Sequence, residues 1–236
     1  MGCETTWRQP VISAPGSWFN SQTEHQNVTD AGLICFAVKE EAEPFMQRRP
    51  AGVHVLLTGM GRQNAEATVR AELARREPRW VMTCGFAGGL NPNFSRGTVI
   101  YEADPGFPLT TELIYAGAEA ARFLCSPQVV NTLTEKQILR QMTRADAVEM
   151  ESDAIRAICN EQGIPSATVR VISDAAHENM PLDFNRMMTA TMRINYLKLI
   201  GALIRAPAKI GRLIQFQRQT RAAAKQLADV LLKAVG

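Results

Sequence analysis

Leu33-Ile34-Cys35-Phe36-Ala37-Val38 is a short, unbroken apolar run, and no polar residue alternates through it. A strand with one wet face would alternate, so the run predicts a strand buried on both faces, as in a parallel sheet covered by helices. Val53-His54-Val55-Leu56-Leu57 reads as a second strand, ended by Thr58-Gly59-Met60-Gly61, with a helix from about Gln63 to Arg76 and Pro78 behind it. Trp80-Val81-Met82-Thr83-Cys84 reads as a third strand running into a glycine loop, Gly85-Phe86-Ala87-Gly88-Gly89. Downstream, Glu151 to Gln162 reads as a helix closed by Gly163, and Ala167 to Ile172 as another buried strand. Between these lies a glycine- and proline-rich stretch, Gly97 to Pro108. A helical turn or two over Ala116–Phe123, a short strand at Gln128–Val130 and a helix over Glu135–Met142 follow it.

Strands alternating with helices predict an α/β fold with parallel pairing and right-handed crossovers. The expected organisation is a polar N-terminal extension over residues 1–30, a catalytic domain over 31–186 and a basic helical tail over 187–236. In such sheets ligands collect at the carboxyl ends of strands. Glu41, the Gly85–Gly89 loop and Asp174 all follow predicted strands closely, so they are expected to meet at one edge.

With 236 residues, 46% of them apolar and 21% charged, the chain reads as one globular unit. No run is long enough to span a membrane and no secretory leader is evident, so the expected location is the cytoplasm. Five scattered cysteines show no metal-binding spacing, and the expectation is no metal and no cofactor. The net charge of +3 is uneven: residues 187–236 hold nine Lys/Arg and one acid. In that tail, Tyr196-Leu197-Leu199-Ile200-Leu203-Ile204 and Ile210-Leu213-Ile214 form apolar stripes interleaved with basic residues, and a last helix is expected over Thr220–Val235. Helices packed on the sheet with a solvated basic face, or a contact with a membrane surface, both fit. Nucleic acid does not, since aromatics are not interleaved with the basic residues.

Three segments carry chemistry. Ala147-Val148-Glu149-Met150-Glu151-Ser152 puts two carboxylates around a methionine at the start of a helix. Such carboxylates suit the paired hydroxyls of a sugar, or simply complement a helix dipole. Arg170-Val171-Ile172-Ser173-Asp174 ends a buried strand with an acid, which is either a turn former or a carboxyl poised to hold a proton. Gly59-Met60-Gly61 before a helix, with Arg62 alongside, is either a weak anion cradle or a loose turn.

Ala37-Val38-Lys39-Glu40-Glu41, Thr58-Gly59-Met60-Gly61, Gly85-Phe86-Ala87-Gly88-Gly89-Leu90, Val148-Glu149-Met150-Glu151 and Arg170-Val171-Ile172-Ser173-Asp174 together resemble the nucleoside phosphorylase superfamily. That group includes purine nucleoside phosphorylases and methylthioadenosine/S-adenosylhomocysteine nucleosidases. The resemblance runs from about Leu33 to Phe184 and implies a three-layer α/β/α fold around a central mixed, mostly parallel sheet, and cleavage of a purine N-glycosidic bond, of adenine above all, in a homo-oligomer. It implies Asp174 as the acid at the purine N7, supported by Ser173 and Arg170. It implies Glu151 on the ribose hydroxyls with Met150 and Glu149, and Glu41 on the attacking water. It also implies Phe86, Ala87 and Gly88 around the nucleophile and Phe184 beside the 5′-substituent. Phosphate is the alternative nucleophile and co-substrate, for which Arg62 or Arg96 could serve. Phe86 stands where the nucleosidases carry a small polar residue, which leaves open a noncatalytic nucleoside-binding protein. Asn179-Met180-Pro181-Leu182-Asp183-Phe184-Asn185-Arg186 with the basic tail is similar to the hopanoid-biosynthesis-associated phosphorylases, which implies a lipid-linked nucleoside as substrate.

Overall fold

A computed structural model describes residues 32–187, 189 and 208–236. The expected extension over residues 1–30 and the Tyr196–Ile204 stripe lie outside them.

The opening run forms β1 (Gly32–Phe36), and its side chains go to both faces of the sheet. Ile34 and Phe36 join one core with Met82, Cys84, Val169 and Val171, while Leu33 and Cys35 join another with Val69, Ile155 and Ile158. The expected two-sided burial is thus present, and it sets the layers. β1 is followed by α1 (Lys39–Met46), β2 (Val53–Leu57), α2 (Arg62–Leu73) and β3 (Val81–Gly89). Next come β4 (Val99–Ala103), α3 (Thr110–Ala116), β5 (Glu119–Ala120), β6 (Phe123–Cys125) and α4 (Leu133–Thr143). The chain continues through β7 (Ala147–Glu149), α5 (Ser152–Glu161), β8 (Ser166–Asp174), α6 (Phe184–Met187) and α7 (Ala208–Val235).

The sheet runs β2-β1-β3-β8-β4-β5, and β7 pairs with the end of β3 and with β6. β3 and β8 lie parallel at its centre, while β4 runs antiparallel to β8 and β7 antiparallel to β3. α2 and α5 cover one face, where Ala65, Val69 and Leu73 meet Ile155 and Ile158. α1, α3 and α7 cover the other, contributing Phe45, Leu113, Leu227 and Leu231.

Four local expectations are corrected. Gly85–Gly89 is the second half of β3 and not a loop; its ladder with β8 continues to Gly88, with a register shift after Ala87. Gln128–Val130 is irregular chain, because its amides are engaged elsewhere: Val129 pairs with the Asn185 side chain through both its N–H and its C=O. The helix placed at Ala116–Phe123 ends at Ala116, where Gly117 takes a left-handed φ of 99°, and two short strands follow. The last helix begins at Ala208, twelve residues before Thr220, since Gly211 is the sole breaker between Pro207 and Thr220.

Candidate active site

Five carboxyl or hydroxyl side chains from distant parts of the chain open onto one cavity of about 210 Å³ at the carboxyl end of β3 and β8. They are Glu41, Glu149, Glu151, Ser173 and Asp174. Phe86, Ala87 and Gly88 form its sheet side, and Met150 lies between the two glutamates. The rest of the wall is apolar, with Val129, Val130, Met60 and Met180 prominent.

Arg170 organises the carboxylate side. It points inward from β8, is 1% exposed, and donates from Nη2 to Glu149 Oε2 at 2.6 Å and Thr83 Oγ1 at 3.0 Å, and from Nη1 to the Cys84 carbonyl at 3.1 Å. Glu151 Oε2 lies 3.6 Å from the same Nη2. The guanidinium passes over Gly85, where a Cβ would sit 2.5 Å from Nη1 and 2.7 Å from Glu41 Oε1, so the residue crossing that point must be glycine.

The three glutamates are held differently. Glu149 ends β7 and closes the N-terminus of α5. It accepts the Glu151 and Ser152 amides at 3.0 and 2.9 Å and the Ser152 hydroxyl at 2.6 Å. Burial works against its charge, but Arg170, the hydroxyl and the amides outweigh burial and hold its pKa below the usual carboxylate value. Glu151 accepts the Gly61 amide at 2.8 Å; burial and the nearby Glu149 raise its pKa despite Arg170. Glu41 accepts the Phe86 amide on Oε1 at 2.9 Å and the Ala37 and Val38 amides on Oε2 at 3.2 and 3.3 Å. Burial pushes Glu41 up to about 7, against the pull of Arg170 and the Phe86 amide.

The Gly59-Met60-Gly61 turn therefore does offer a free helix-end amide to an anion, but the anion is Glu151 of the protein. Arg62 points outward and pairs with Glu66 at 2.9 Å, and Arg96 pairs with Glu178 at 2.6 Å. Neither lines the cavity. Phe184 is also absent from the wall; its ring packs at a tilt of 40° against Phe216 of α7, with centroids 6.0 Å apart. Arg170 sits beneath the floor and not in it. Among the described residues no group of three or more His, Cys, Asp or Glu is arranged to hold a metal.

Sequence reading missed two parts of the site. One is the Gln128–Val130 segment opposite the sheet, together with Met180. The other is Lys136 of α4, fully buried, whose Nζ lies 2.5 Å from Asp174 Oδ2. A faint signal existed: Leu133, Lys136, Leu139, Arg140 and Thr143 share one face of α4, so Lys136 falls on the face that packs inward.

The chain is similar to known proteins in sequence and in fold. The family model of the phosphorylase superfamily matches residues 114–205. A 5′-methylthioadenosine/S-adenosylhomocysteine nucleosidase of Anoxybacillus flavithermus is 26% identical over 172 residues, covering 58% of this chain and 74% of that enzyme. One from Marinomonas is 27% identical over 170 residues, with the same coverage. Among solved structures, the nucleosidase of Neisseria meningitidis, in complex with methylthio-immucillin-A, superposes with a TM-score of 0.64 at 18% identity, over 87% of this chain and 98% of that one. Futalosine hydrolase of Helicobacter pylori superposes with a TM-score of 0.61 at 15% identity, over 86% and 97%. These two likenesses are of fold. Over residues 114–205 the chain thus matches the phosphorylase superfamily, and its fold is that of the nucleosidase and the futalosine hydrolase compared with it.

Proposed function

We propose that the protein hydrolyses the N-glycosidic bond of a purine nucleoside, adenine being the base and the 5′ position carrying a substituent. The observation that carries this reading is the shared cavity: Asp174 on one side, Glu151 and Glu149 on another, and Glu41 beside Phe86. Glycosidic cleavage develops positive charge on the sugar and negative charge on the base, so an acid at the base and a base-activated water at the sugar favour the transition state over the substrate. In the proposed reaction the C1′–N9 electron pair leaves with the purine, N7 receives a proton from Asp174, and Glu151 holds the ribose hydroxyls. Water adds at C1′ and gives its proton to Glu41, whose pKa of about 7 suits a general base at neutral pH.

Water is favoured over phosphate by the charge of the wall. Among the described lining residues there is no Lys or Arg, while four are acids. A phosphate dianion would enter among carboxylates, with Arg170 already engaged by Glu149 and Glu151. The apolar side chains Val129, Val130, Met60 and Met180 support a substrate with an apolar 5′-arm rather than a free hydroxyl. The identity of the nucleosidase relatives supports the same class of substrate.

The test is adenine release from 5′-methylthioadenosine in phosphate-free buffer. Release without phosphate is expected, and Asp174→Asn is expected to slow it by about 10²- to 10⁴-fold. Arg62→Ala leaves the rate unchanged if water is the nucleophile. An absolute requirement for phosphate, with a sugar 1-phosphate as product, overturns hydrolysis; binding without turnover, equal in Asp174→Asn, overturns catalysis.

A further inference from the structure

All three polar contacts given for the Lys136 ammonium run to Asp174 and the turn behind it: Asp174 Oδ2 at 2.5 Å, the Ala175 carbonyl at 2.8 Å and the Asp174 carbonyl at 3.5 Å. Three donors thus meet three acceptors, with no exposure to solvent. α4 arrives in this register because Thr132 and Glu135 form a reciprocal cap at its start, one residue before Lys136.

The other oxygen of Asp174 has a different partner. Oδ1 lies 2.6 Å from Ser173 Oγ, which is also 3.2 Å from the Ala87 carbonyl. The hydroxyl has one proton and two acceptors within reach. With Asp174 ionised, Ser173 donates to Oδ1. With Oδ1 protonated, Asp174 donates to Ser173 and Ser173 donates to Ala87. Both states are fully hydrogen-bonded; they differ by one proton on Oδ1 and by the direction in which the Ser173 hydroxyl points.

We propose that Lys136 is a positioning residue for the glycosidic reaction: it fixes the Asp174 carboxyl at the cavity and supplies the charge beside which the proton leaves it. The inference rests on the reading of Asp174 as the acid. As C1′–N9 breaks and N7 takes the Oδ1 proton, a carboxylate forms next to an ammonium already in place, so charge is created without reorganisation. Solvent returns the proton after the base departs. A buried charge pair used only as a pin offers little net stability over apolar packing. The other charged groups facing Asp174 are Glu149 and Glu151 from β7 and the start of α5, Glu41 from α1, and the Arg96–Glu178 pair behind the turn.

The experiment compares leaving groups. Adenine needs a proton to leave, whereas 4-nitrophenolate departs from 4-nitrophenyl β-D-ribofuranoside as a stable anion. Lys136→Met is expected to slow adenine release from 5′-methylthioadenosine by about 10²-fold and nitrophenolate release by no more than about threefold. Lys136→Gln keeps a hydrogen bond to the turn but no charge, and is expected to show the same split; a purely structural role would be rescued by it. Equal slowing of both substrates or recovery in Lys136→Gln overturns the proposal. If the parent protein releases adenine and the variants match it, only this inference falls; if the parent releases none, the reading of the site falls with it.

Discussion

Glu41 and Glu149 stand on the same cavity, are both buried and both accept backbone amides, yet their proton affinities move in opposite directions. Glu41 has three amide donors and no cation in contact; Glu149 has two amides, a hydroxyl and the Arg170 guanidinium at 2.6 Å. Amide dipoles and a guanidinium out of contact do not offset desolvation at Glu41, whereas the same guanidinium in direct contact, with a hydroxyl and two amides, does so at Glu149. The consequence is a division of labour. Glu149 is a fixed anion that neutralises Arg170 and closes α5, and Glu41 is the carboxylate able to take up a proton near neutral pH.

The most severe way to break this contrast is Arg170→Met. It leaves Glu149 and Glu151 buried beside each other without their cation, and the expected loss is about 3–5 kcal/mol of folding stability. Urea denaturation of variant and parent measures it directly. A loss below about 1 kcal/mol would mean that Glu149 is not held by Arg170 as described.

Glu41→Gln attacks the other member. The parent's kcat/KM should show an acidic limb with its midpoint near 7, since Glu41 works as a base only when deprotonated and its pKa is raised to about 7. Below that pH Glu41 is protonated and the rate falls; above it the limb levels off. The variant should lose the limb together with about 10²- to 10⁴-fold in rate. A parent profile flat from pH 5 to 8 would remove Glu41 from the mechanism.

Gly85→Ala perturbs both partners at once. Its new methyl would lie 2.5 Å from Arg170 Nη1 and 2.7 Å from Glu41 Oε1, at a φ of 150°. Overpacking at such a point costs about 1–3 kcal/mol, and displacement of Arg170 should also shift the acidic limb. Denaturation and a pH–rate profile on the same sample separate the two effects. A variant as stable as the parent, with the limb in place, would show that the backbone can yield there.

The sequence displayed the members of this contrast but not their arrangement. Glu41, Glu149, Glu151, Arg170 and Asp174 all stand next to buried strands, and strand ends converge in a parallel sheet. Phe86, Ala87 and Gly88 were legible as site residues but were mistaken for a loop, because glycines deplete the side-chain pattern of a strand; here they admit Arg170, Glu41 and Asp174 to the backbone. β4 was hidden by its flanks, Gly97 on one side and Pro105-Gly106 on the other, and its ladder comes from pairing with β8 across some seventy residues of chain. β7 has three residues, too few for any period to show. Lys136 was only faintly legible for a different reason: its helix face marks it as inward, but nothing local shows that its partner is a carboxylate 38 positions away.

Ser152→Ala tests the finest part of the comparison. The Ser152 hydroxyl donates to Glu149 Oε1 at 2.6 Å, while the guanidinium and two amides all meet Oε2. Removing it leaves Glu149 charged and paired, so the expected cost is only about 1.5 kcal/mol, that of a hydrogen bond to a charged group. The pH dependence gives the sign. Glu149 has a depressed pKa in the folded state, so the stability it contributes is present above its unfolded value and lost as pH falls through its folded one. The difference between variant and parent should therefore be full at pH 7 and shrink toward acid, as read by denaturation midpoints across that range. The acidic limb of activity should stay in place, because none of the Ser152 contacts involves Glu41. A displaced limb would mean that the two carboxylates titrate together, and the division between fixed anion and working base would have to be given up.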